Sequence, residues 1–200
     1  MKRLLFLGIA VLVLFTAYWY FFKRSSAPRI EPDILPIALK KHSAAFNSSI
    51  DSVVNAYLAI KNAFLANDTL QVKNATRNFI QQITDVNTGE LNNDTSVIRQ
   101  AVESAISDIR ANAESLTAQT DISEMKQDFR MVTEMMYPGF FKTINYDGQK
   151  LYLFYCENAL GYGKSASWIS NNTEIKNPYS SGSAPGSINC GEIKDTIKAR

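Results

Sequence analysis

Apolar positions along the chain follow three different patterns. From Leu4 to Phe22 they are nearly continuous, 19 residues without a charge. From Phe46 to Met136 they recur at helical spacing. After Phe141 they thin out into short clusters among Gly, Ser, Asn and Pro.

The middle pattern predicts four amphipathic helices. Phe46, Ile50, Val53, Tyr57, Ile60 and Phe64 step by 4, 3, 4, 3 and 4, which lays one stripe along a helix. Asn67-Asp68 closes it, and Asp68 is placed to cap a second helix from about Thr69 to Ile83, with Val72, Phe79 and Ile83 inward. Asp85 to Asn93 is polar, contains Gly89, and reads as a loop. A third helix starts near Thr95, and Val97, Ile98, Ala101, Val102, Ala105, Ile109, Ala113 and Leu116 form its wide stripe. Asp121 and Glu124 have capping-box spacing ahead of Ile122, Met125, Phe129, Val132 and Met136. Pro138-Gly139 interrupts that last helix. Short connections between such helices predict a mainly α fold, an antiparallel four-helix bundle over residues 43–142.

The final pattern predicts an irregular cap over residues 143–200. Asp147-Gly148 marks a turn, and Leu151 to Tyr155 is a short β-prone strand. Trp168-Ile169 and Pro178-Tyr179 are its strong apolar anchors.

The first pattern predicts a single transmembrane helix within an anchor of residues 1–24. At 1.5 Å per residue, residues 4–22 span roughly 28 Å, close to the hydrocarbon thickness of a bilayer. Tyr18, Trp19 and Tyr20 suit the interface, and Lys23-Arg24 suits the headgroups. A cleaved signal peptide is the rival reading, but its apolar region is usually shorter and is followed by small residues. Residues 25–42, with Pro28, Pro32 and Pro36, read as an extended linker.

Charge follows this division. The chain carries 21 Lys+Arg against 19 Asp+Glu. With Lys2, Arg3, Lys23 and Arg24 set aside as flanks of the apolar run, 17 basic residues face 19 acidic ones. No basic surplus is left for nucleic acid. Gly163-Lys164-Ser165 resembles the end of a phosphate-binding loop. The pattern needs Gly where Asn158 stands, so no nucleotide is expected. His42-Ser43 lies at a linker end without a nucleophile elbow, and no enzyme activity is expected. Met125, Met131, Met135 and Met136 belong to core packing rather than to a metal cluster. Asn-x-Ser/Thr matches at Asn47, Asn67, Asn74, Asn93 and Asn171 are read as composition.

Cys156 and Cys190 remain as the candidate chemistry, 34 positions apart in the cap. Three readings stand: a structural disulfide, a soft-metal site, or two unpaired thiols. Two thiolates suit a copper ion in its Cu(I) form, with His42 as a candidate third ligand. Otherwise no cofactor is expected.

Certain residues resemble the domain of unknown function 3347 family over roughly residues 40–197. They are Lys41-His42-Ser43 with Phe46-Asn47, the segment Tyr57 to Phe64, and Thr120-Asp121-Ile122 with Phe129. The ending is similar too: Leu151-Tyr152, Cys156, Trp168-Ile169-Ser170, Ile175 to Tyr179, and Cys190-Gly191. The resemblance implies an extracytoplasmic bacterial protein, and some members are fused to periplasmic adaptors of copper and silver efflux pumps. It implies no enzyme. Family members commonly have Cys-Pro-Met at the first Cys, whereas this chain has Cys156-Glu157-Asn158. They often carry Met close before the second Cys and His after Asn-Pro-Tyr; Ser187-Ile188-Asn189 stands before Cys190, and residues 180–189 hold no His. The expectation is therefore an inner-membrane-anchored, non-catalytic binding or interaction domain facing the periplasm. Its partners would be the membrane through residues 4–22 and an envelope protein. Copper handling through Cys156, Cys190 and His42 is the alternative.

Overall fold

A computed structural model of the chain describes residues 41–180 and 190–197. The expected membrane helix and most of the linker, residues 1–40, lie outside the described residues, as do residues 181–189 and 198–200 of the expected cap. Among the described residues no helix is long and apolar enough to cross a membrane.

The helical stripes form four helices: α1 (Ala44–Leu65), α2 (Thr69–Thr84), α3 (Ser96–Ala118) and α4 (Ile122–Glu134). Each begins at a side chain able to accept an orphan amide of the first turn. Ser43 accepts from Phe46 N, Asp68 from Gln71 N, Thr95 from Ile98 N, and Asp121 from Ser123 N and Glu124 N. The α1–α2 turn is sharp because Asn67 adopts a left-handed φ of 54°, which Asn tolerates better than most residues. Consecutive helices pack on one another in the order α1, α2, α3, α4.

Two local expectations are corrected and a third is borne out. The loop at 85–93 contains a 3-10 helix, Thr88–Asn93, and its Leu91 is buried in the core. Val97 and Ala101, assigned to the α3 stripe, face solvent; Val97 is 68% exposed. Each stands one residue before a buried one, Ile98 or Val102, so it is turned by about 100° and falls on the outer flank of a narrower stripe. The expected interruption at Pro138-Gly139 is a kink within Met135–Phe140, beyond which a short helix α5 (Phe141–Thr143) follows. Tyr137, the residue before proline, leaves the helical region at φ −135°, ψ 130°.

The cap is more regular than expected. Its strands β1 (Leu151–Cys156), β2 (Ala166–Ser170) and β3 (Glu192–Ile197) form an antiparallel sheet in the order β2-β1-β3. β1 and β2 pair without a break from Tyr152↔Ser170 to Cys156↔Ala166. β1 and β3 shift register between Leu153 and Phe154, where Lys194 is the extra residue of a bulge. β3 escaped prediction because its residues 192–195 are all exposed, as suits an edge strand guarded by charge.

β2 packs on α4 and α1, so the bundle and the cap share one core. Aromatic rings run through it without a gap. Tyr57 and Phe64 lie 5.1 and 5.0 Å from Phe129, which is 5.9 Å from Tyr179. Tyr179 is 6.3 Å from Trp168, and Trp168 stacks on Phe154 at 5.2 Å, its cross-strand partner. The tilted and edge contacts are those favoured by ring quadrupoles.

Candidate functional site

The chemistry-bearing side chains gather where β2 and the 171–180 segment meet α1 and α4. Tyr57 on α1 is the joint. Its hydroxyl lies 2.7 Å from Thr133 Oγ1 on α4 and 3.1 Å from Ile169 N on β2. Thr133 already donates its proton to Phe129 O at 3.1 Å. The Tyr57 hydroxyl therefore donates to Thr133 and accepts from Ile169, and all three groups are satisfied. Ile169 N–H would otherwise be an unpaired edge group of the sheet in a dry interior. Burial, partly offset by the two hydrogen bonds, pushes the Tyr57 hydroxyl well above its ordinary pKa, so it stays protonated as this geometry requires.

Two lysines are buried at the same junction. Lys126 on α4 donates to the carbonyls of Tyr179 and Ser180, each at 3.2 Å. Lys61 on α1 donates to Ser170 Oγ at 3.2 Å. Burial pushes both ammonium groups below their ordinary pKa, and for Lys61 nearby Lys176 adds to the effect. Both lie on stripe flanks: Lys61 is four residues after Tyr57, and Lys126 three before Phe129. Sequence reading passed over them. A Lys at a stripe position was the available signal.

The Asn177-Pro178-Tyr179 segment fastens the cap. Asn177 Oδ1 accepts from Tyr179 N at 2.9 Å, and its Nδ2 donates to Cys190 O at 3.1 Å. Tyr179 OH donates to Ser167 O at 2.7 Å.

Cys156 and Cys190 are joined as a disulfide with Cα atoms 5.5 Å apart, within the range a disulfide needs. The bond ties the end of β1 to the start of β3. It closes a loop that encloses β2 and the Asn177 segment. Cys156 is buried and Cys190 is partly covered.

The structure does not bring His42 to this pair. His42 Nε2 donates to Ile144 O at 2.6 Å, and Nδ1 faces Glu90 Oε1 at 3.7 Å. Its ring lies 4.5 Å from Phe46. Glu90 in turn accepts from Ser43 N at 2.5 Å and from the Ser43 hydroxyl. This is a helix cap in which a carboxylate from the 3-10 turn takes the place of an acidic residue in the helix itself. Burial raises the Glu90 carboxyl. The two Ser43 hydrogen bonds and the His42 charge outweigh it and hold the group below its ordinary pKa. Among the described residues no three His, Cys, Asp or Glu side chains converge as they would around a metal ion.

Residues 53–145 match the family described as Protein of unknown function (DUF3347). That segment, under half of the chain, is similar to the DUF3347 family. It runs from within α1 through α5 to the turn before β1, so it contains Tyr57, Lys61, Lys126 and Thr133. The two cysteines and the sheet lie beyond the matched DUF3347 residues. No curated protein and no solved structure matches the chain.

Proposed function

We propose that the chain is a membrane-anchored, extracytoplasmic domain of the bacterial envelope that binds or interacts without catalysing a reaction. The observation that carries this reading is the Cys156–Cys190 disulfide. Such bonds persist in oxidising compartments and are rare in the cytosol. The apolar run from Leu4 to Phe22 supports the anchor. The polar groups at the bundle–cap junction supply joints, through Tyr57, Lys126 and Asn177, rather than a nucleophile beside a base.

Protease added to spheroplasts of cells expressing the full chain tests the reading. Digestion of residues 43–200 without breaching the inner membrane is the expected result. Protection until the membrane is permeabilised would overturn it.

Soft-metal handling is a second reading, favoured by one observation: both sulfurs converge. It requires the reduced chain, because the bonded sulfurs offer no thiolate. His42 is held elsewhere, so the site would rest on two thiolates. Stoichiometric Cu(I) uptake by the reduced full chain, lost in Cys190→Ser, would support it. No uptake would remove it.

A further inference from the structure

The loop that joins β1 to β2 carries the one exposed Phe, Tyr or Trp ring among the described residues. Tyr162 is 99% exposed, at the tip Gly161-Tyr162-Gly163-Lys164, where all four residues face solvent. Hydrogen bonds hold this tip in shape. Gly161 N donates to Asn158 O at 3.2 Å, and Lys164 N to Gly161 O at 3.0 Å. Leu160 N donates to Lys164 O at 3.0 Å, and Gly163 N to Asn158 Oδ1 at 2.7 Å. Gly161 and Gly163 have φ of 107° and 71°, where residues with a side chain are strained. A Cβ on either would meet nothing within 4 Å, so these glycines serve the shape of the turn and not a close packing. Behind the tip, Ala159 is buried and Leu160 half-buried against the core, which fastens the loop.

Folding gains no burial from the Tyr162 ring, although burying such rings dominates core energetics. A ring held out on a hydrogen-bonded turn is placed for something outside the domain. A tyrosine beside a lysine suits a bilayer surface. The ring has an apolar body and a polar hydroxyl, which favour the headgroup level, and the ammonium on its flexible stem reaches the phosphates. Residues 158–165 contain no Asp or Glu, and Glu157 stands at the strand end, five residues before the ring. The bilayer is also within reach. Residues 23–40 separate the apolar run from the first described residue, and 18 residues of chain span at most about 60 Å. A domain tethered that closely meets its own membrane at high effective concentration, so a weak contact suffices.

We propose that the Gly161–Lys164 tip is a membrane-contact point, with Tyr162 seated at the headgroup level and Lys164 on anionic phosphates. This rests on the reading of the chain as membrane-anchored. The contact fixes which side of the domain faces the bilayer and leaves the opposite side to a protein partner.

The test is fluorescence of the full chain in phosphatidylcholine–phosphatidylglycerol vesicles, with and without brominated acyl chains. Tyr162→Trp is placed in a Trp19→Phe background, and the signal of that background, which comes from buried Trp168, is subtracted. The added indole should lose intensity in brominated vesicles, and its emission should move to the blue. Val97→Trp, at an exposed position on α3, should keep its intensity. Lys164→Glu should lessen the quenching at position 162. No quenching at 162, or equal quenching at 97, would overturn the contact. A blue shift without bromine quenching is what a second copy seated on the tip would give, and it would overturn the bilayer as occupant. Unchanged quenching in Lys164→Glu would overturn the part given to the lysine. The chain with Trp19 intact separates the two readings: quenching of Trp19 without quenching at 162 defeats the contact alone, and quenching of neither defeats the anchor as well.

Discussion

Gly191 lies against the Trp168 ring so closely that a Cβ there would stand 2.7 Å from Cη2 and 3.1 Å from Cζ2. The same Cβ would be 3.0 Å from Ile175 Cγ2. Trp168 is fully buried and stacked on Phe154, so its ring has no room to withdraw. Gly191→Ala should therefore destabilise the fold by about 1–3 kcal/mol, the usual cost of overpacking. Equilibrium denaturant unfolding reads this directly, and unchanged stability would show that the ring is free to shift.

Tyr57→Phe removes one oxygen and strands two partners. Ile169 N–H loses its acceptor and Thr133 Oγ1 its donor, in a site without water access. A loss of about 1–3 kcal/mol is expected. Hydrogen exchange at the Ile169 amide should accelerate more than at Leu153, its neighbour across β1. Equal exchange rates in variant and wild type would show that the hydroxyl does not hold β2 to the bundle.

Phe129 on α4 contacts Tyr57 and Phe64 on α1 and Tyr179 in the cap, so it links these two helices to the cap. Phe129→Ala should cost about 3–5 kcal/mol. A loss under about 1 kcal/mol would contradict the assignment of this ring to the centre of the core.

Glu90 makes stability depend on pH. Its carboxyl is held below the ordinary value in the folded chain, so the unfolded chain binds the proton more readily. The stabilisation is present above the unfolded carboxyl pKa, about 4.3, and is lost as pH falls through the lower folded value. Glu90→Gln should flatten this part of the acid limb of the stability profile. An acid limb identical to the wild type would show that the Ser43 cap does not depend on the charge.

The bundle was legible because its helices carry both a periodic stripe and a capping residue. Ser43 stands three residues before Phe46, where the first stripe opens, and Asp68, Thr95 and Asp121 stand where the other periodic runs begin. β1 was legible through Leu151 to Tyr155. β2 was hidden because five residues with one Trp-Ile pair give no alternation to read, and its pairing is set by β1. β3 was hidden because its side chains are mostly polar and one is a bulge residue. The junction was the least legible part. Lys61, Lys126 and Tyr57 come from distant positions, and Lys61 and Ser170 are separated by 109 residues. Only tertiary packing places them together. The Cys156–Cys190 convergence was open to three readings in the sequence, and His42 as a third ligand does not join them in the structure.

The account rests most directly on the state of the two cysteines. The full chain is purified without reductant, unfolded in the presence of an alkylating reagent, and its mass is measured. No alkylation is expected, with a linked Cys156–Cys190 peptide pair after digestion. Reduction should then cost about 3–4 kcal/mol of stability, the chain-entropy value for a loop of this length. Two alkylated cysteines in the unreduced protein would contradict the disulfide and remove the main support for an oxidising compartment.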